Sequence, residues 1–89
     1  MDKIRETEKI LKALANRRRT AIVAYLRRVG NATPGSISEE IKLSFKATSK
    51  HLGILFAADL VEREQFGLRI DYSLKQPLHR ITKSALESL

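Results

Sequence analysis

The amino-acid sequence predicts a mainly α domain with one small β-hairpin: four helices, the hairpin, then a fifth helix. Three observations support this. Apolar residues recur at helical spacing from Ile4 to Phe56. The period changes to strict alternation across "DLVEREQFGLRIDYSL". Helical spacing then returns from Leu78 to Leu89. No repeat, low-complexity tract or linker interrupts the chain, so residues 1–89 are expected to form a single domain.

The first helix is read from "IRETEKILKALA", where Ile4, Leu11 and Leu14 share a stripe with Ile10 beside them. Asn16 suits an N-cap for the second helix, whose apolar face is Ile22, Val23, Tyr25 and Leu26. The pattern breaks at "VGNATPG". Thr33 and Pro34 then read as N-cap and first residue of a short third helix through Ile37, Ile41 and Leu43. Glu39 and Glu40 are expected near its positive end.

Ser44 is the expected cap of the fourth helix, 44–57. At about 100° per residue, Phe45, Thr48, Leu52, Leu55 and Phe56 share one side. Lys46, Lys50 and Gly53 fall opposite, with Ser49 at the margin. In the hairpin, Val61, Arg63 and Gln65 share a face of one strand, and Ile70, Tyr72 and Leu74 a face of the next. "QFGL" is the turn between them, with Gly67 free to take positive φ. Pro77 is expected to open the last helix, whose stripe is Leu78, Ile81, Ala85, Leu86 and Leu89. Only "LS" separates the third and fourth helices. That spacing describes a helix-turn-helix, with the hairpin placed as a wing.

The balance of 17 Lys and Arg against 10 Asp and Glu gives a net charge of +7. Such an excess suits a polyanionic partner, with nucleic acid first and an anionic membrane surface second. The chain has no cysteine, which excludes disulfides, thiolate metal ligands and a cysteine nucleophile. "MDKIRETEKI" lacks the apolar core of a signal peptide, and no stretch is long enough to span a bilayer. A cytoplasmic protein without membrane contact is expected. There is no glycine-rich phosphate loop, and no histidine stands beside a nucleophile in a catalytic pattern, so an enzyme is not expected.

Residues Leu11 to Leu74 resemble the ArsR-type winged-helix repressors. The likeness runs through "LKALANRRRTAIV", "ISEEIKLSFKATSKHLGIL" and "DLVEREQFGLRIDYSL", and is most specific in "SKHLGIL" and in "LVEREQFG" with its later "YSL". It implies a homodimer that binds operator DNA and represses transcription. The chain departs from the family in three respects. Asp59 stands where a glycine often precedes the wing. Gln65 and Leu68 occupy places that are commonly basic. From Glu62 to Asp71, three carboxylates face two arginines, a net of −1.

Many such regulators sense metals, but the stretch matching their thiolate site reads "EEIKLS". The last helix offers only His79, with Lys83 and Glu87 beyond it, whereas zinc takes about four neutral or anionic donors. Neither histidine is expected to hold a metal, and no cofactor is expected. The signal that the protein answers is left unassigned.

The residues expected to meet DNA are Phe45, Lys46, Ala47, Ser49, Lys50 and His51 on the fourth helix. Arg17 and Arg18 are added from the second, and Arg63 and Arg69 from the wing. Phe45 is within reach of a thymine methyl, though its angle places it nearer the core. Three arginines, Arg17 to Arg19, oppose the positive end of their helix, which is easier to understand with a phosphate nearby. Arg19 also suits a structural role. The expected dimer surface is Ile4, Leu11, Leu14, Leu78, Ile81, Ala85 and Leu86, within dimerisation segments 1–15 and 76–89. Such a dimer would read a near-palindromic site. The alternative reading is a winged-helix protein-interaction module, suggested by the apolar tip at Phe66 and Leu68.

Overall fold

A computed structural model describes residues 2–89. The elements are α1 (Lys3–Leu14), α2 (Arg17–Val29), β1 (Asn31–Ala32), α3 (Pro34–Ile41), α4 (Phe45–Ala57), β2 (Val61–Phe66), β3 (Arg69–Leu74) and α5 (Arg80–Glu87). The architecture is a winged helix-turn-helix: five helices around a small antiparallel sheet ordered β1-β3-β2.

Side-chain caps set the helix starts. Asn16 Oδ1 accepts from the amides of Arg18 (2.9 Å) and Arg19 (3.1 Å). Ser36 N donates to Thr33 Oγ1, and Ala47 N donates to Ser44 Oγ at 3.1 Å. Each cap satisfies amides that have no partner within the helix. The turn between α3 and α4 closes through Lys42, which is left-handed at φ 54°, while Leu43 N donates to Ser38 O. Leu43 therefore lies past the helix end, half-buried against the core.

The core centres on α2. Ile22, Val23 and Leu26 meet Ile37 and Ile41 of α3, Leu52 and Leu55 of α4, and Val61, Tyr72 and Leu74 of the sheet. Ile10 and Ala13 close it from α1, and Leu86 from α5. In the hairpin Val61 pairs with Leu74 and Phe66 with Arg69, so Gly67 and Leu68 alone make the turn. Gly67 takes φ 64°, as its place in the turn predicted.

Several expectations need correction. β1 was unforeseen: two residues carry no periodicity, and they become a strand only by pairing with Ser73 and Tyr72. Glu39 and Glu40 lie in the second half of α3, not its first turn, and Glu40 pairs with Arg28 at 3.2 Å. α5 begins at Arg80, not Pro77, because His79 is the cap and its Nδ1 accepts from Ile81 N at 3.1 Å. Asp59, standing where the family often has glycine, takes the left-handed conformation that glycine favours, at φ 64°, and its carboxylate pairs with Lys75 at 2.9 Å.

A candidate nucleic-acid interface

α4 is held by one side and open on the other. Thr48, Leu52 and Leu55 are fully buried, whereas Lys46, Ser49, Lys50 and Gly53 are exposed. Ala47 is half-buried. No protein atom would meet a side chain at Gly53, so packing does not require glycine there. Phe45 is not core: it is 60% exposed at the start of the helix. The core ends one turn short of it, at Thr48, so the shared helical side does not bring Phe45 under cover. Phe56, also expected inside, is partly exposed, and the Arg63 guanidinium lies over its ring at 4.1 Å. That contact fastens the wing to the end of α4 and is a cation–π pair.

Two of the three arginines of α2, Arg18 and Arg19, find acceptors within the protein. Arg18 Nη1 donates to Ile41 O at 2.8 Å. Arg19 Nε donates to Ala13 O at 2.6 Å and Nη2 to Lys12 O at 3.3 Å. Those acceptors are the carbonyls at the ends of α3 and α1, where the helix dipole is negative. The cations thus answer the negative poles of two neighbouring helices, which removes the need for a phosphate at Arg18 and Arg19. Arg17 is exposed and has no hydrogen-bond or ion-pair partner among the described residues.

Arg19 also reaches α4, with Nη1 3.3 Å from Nδ1 of His51. Burial, then the charges of Arg19 and Arg18, hold the His51 pKa below its ordinary value. A neutral imidazole whose Nδ1 lone pair accepts from Arg19 fits this geometry, so His51 orders α4 from within. Sequence reasoning did not find this link, because it joins residues 32 positions apart.

On the wing, Arg69 is engaged by Asp71, through Nε at 2.8 Å and Nη2 at 3.2 Å. That fork raises its pKa and neutralises its charge locally. Of the two wing arginines, Arg63 stacks and Arg69 is paired, so neither projects as a free cation. Phe66 (56%) and Leu68 (103%) are exposed at the tip.

The helices expected to form a dimer lie together, since α1 and α5 pack on each other. Ile4 is 84% exposed and Leu11 51%, while Leu14, Leu78, Ile81 and Ala85 are half-buried. Leu86 is buried within its own chain, at 8%, and so presents little surface to a second copy. Both nitrogens of His79 are in use: Nδ1 caps α5, and Nε2 stands 3.1 Å from Glu6 Oε1 on α1. Among the described residues no helix is long and apolar enough to cross a membrane.

Comparison by structure finds close likenesses. HlyU of Vibrio cholerae is 29% identical with a TM-score of 0.82, covering 99% of this chain and 92% of that one. NolR of Sinorhizobium fredii is 26% identical with a TM-score of 0.83, covering 96% and 81%. The homodimeric winged helix-turn-helix DNA-binding domain of Mb0332 from Mycobacterium bovis shares the fold, with a TM-score of 0.85 at 24% identity, covering 96% and 79%. No curated protein matches by sequence. Residues 16–63 match the profile described as bacterial regulatory protein, arsR family, and they take in α2, the helix-turn-helix and the start of the wing. The chain belongs to the arsR family of bacterial regulatory proteins, a family of transcriptional regulators and not of enzymes.

Proposed function

We propose that this arsR-family regulator acts as a homodimeric repressor, reading a near-palindromic operator in double-stranded DNA through α4. The observation that carries the reading is the two-sidedness of α4. Lys46, Ser49 and Lys50 stand free in solvent on a helix whose opposite side is locked in the core. A rigid rod with a slender, cationic front suits the major groove, where lysine meets guanine edges or phosphate. Phe45 and Ala47 extend that front, and Arg17 supplies a phosphate contact from the start of α2. Arg18 and His51 support the front from behind, and the wing, with Arg63 stacked and Arg69 paired, contributes less.

The dimer would form through segments 1–15 and 76–89, with Ile4 and Leu11 at its exposed centre and Leu14, Leu78, Ile81 and Ala85 around them. Two-fold pairing sets two reading helices about one DNA turn apart. Selection of bound duplexes from a random pool tests the reading. Enriched sequences should carry two inverted half-sites about 10 base pairs apart, centre to centre. Enrichment without symmetry would refute the dimeric mode, and no enrichment would refute operator reading altogether.

A second reading, a protein-binding platform, is favoured by one observation: the exposed apolar pair Phe66 and Leu68 at the wing tip. It predicts little binding to random duplex even at low salt.

A further inference from the structure

We propose that Phe45 is the residue by which this protein selects thymine, through the C5-methyl group in the major groove. The proposal rests on the reading of α4 as the DNA helix. Phe45 is the first residue of α4, directly after the Ser44 cap whose Oγ accepts from Ala47 N at 3.1 Å. Cα–Cβ bonds on a helix tilt toward its N-terminus, so a side chain at this place extends beyond the first turn. N-terminal residues of a reading helix are the ones that meet base edges.

Most of the ring is left uncovered by the protein. It is 60% exposed, while Thr48, one turn on along the same side, is fully buried. The two cation–ring contacts employ Tyr25 and Phe56, not Phe45. Its neighbours Lys46 and Ser49 are exposed beside it. A large apolar ring thus stands uncovered at the leading end of α4, beyond the edge of the core, with the polar front of the helix beside it.

The chemistry of the groove then narrows the partner. Guanine, adenine and cytosine present only donors and acceptors there, and thymine alone adds a methyl group. Phenylalanine has no donor or acceptor, so against the other bases it would bury polar edges without replacing their water. Against thymine it covers an apolar group with an apolar ring. Each half of a dimer would therefore carry one preferred thymine, near the base contacted by Lys46.

The test uses the full-length protein and the duplex enriched from a random pool. Each thymine is replaced singly by deoxyuridine, which lacks only the methyl. One thymine per half-site should respond, with affinity falling about fourfold for one and about 15-fold for both, as loss of one or two buried methyls implies. Phe45→Ala should bind the thymine and uracil duplexes equally well, Phe45→Leu should retain part of the preference, and Lys50→Ala should keep it in full. An enriched duplex in which no thymine is sensitive, or the same sensitivity in Phe45→Ala, overturns the proposal while leaving operator reading intact. Failure to enrich any duplex overturns both.

Discussion

Arg19 joins three helices through one side chain. Its guanidinium binds the closing carbonyls of α1 and approaches His51 on α4, so the end of a proposed dimer helix and the middle of the proposed reading helix share one cation. His51 must stay neutral for its Nδ1 to accept, and its lowered pKa, caused first by burial and then by Arg19 and Arg18, agrees. The sign follows from linkage. The unfolded chain takes up the proton more readily than the folded one, so stability is full above the ordinary histidine value of 6.5 and falls as pH drops below it, down to the folded pKa. Urea unfolding at about pH 7.5 and about pH 5.5 should show lower stability at the acidic value, and His51→Gln should lessen that difference. An equal pH response in the variant would place the effect elsewhere.

At the scale of elements, most of the fold was legible. Asn16, Thr33 and Ser44 announced three helix starts because a cap is a local act of one side chain on nearby amides. The alternating stretch and Gly67 announced the hairpin for the same reason. What escaped depended on distant partners. β1 exists through Tyr72 and Ser73, and the arginines of α2 through the ends of α1 and α3. Phe45 was misjudged because helical angle ranks positions around an axis and ignores where the core ends along it. The wing's net of −1 is a matter of composition, which does not reveal pairing: Arg69 is held by Asp71. Asp71→Asn should free Arg69 and steepen the salt dependence of duplex binding by about one phosphate equivalent. An unchanged slope would place the wing away from the duplex.

For the whole molecule, a chain of 89 residues leaves Ile4 and Leu11 exposed on α1 while α5 packs against that same helix. A second copy covering this surface is the economical solution for so small a core. Leu86 belongs to the single chain's core, so the proposed interface would draw on α1 more than the stripe of α5 suggested. Leu11→Glu, at a half-exposed site, should give a folded monomer in sedimentation and weaken duplex binding by orders of magnitude, since two linked modules bind far better than one. A persistent dimer would move the interface off α1.

The most direct measurement is duplex affinity against salt for the wild type, Lys46→Ala with Lys50→Ala, and Lys83→Ala. If paired α4 helices lie along one duplex, the wild type should lose roughly 10³-fold or more in affinity between about 50 and 200 mM salt. Removing both α4 lysines should weaken binding and flatten that slope, and Lys83→Ala should leave both nearly unchanged. Equal effects from all three lysines, or a slope untouched by the α4 pair, would mean that the duplex meets some other surface.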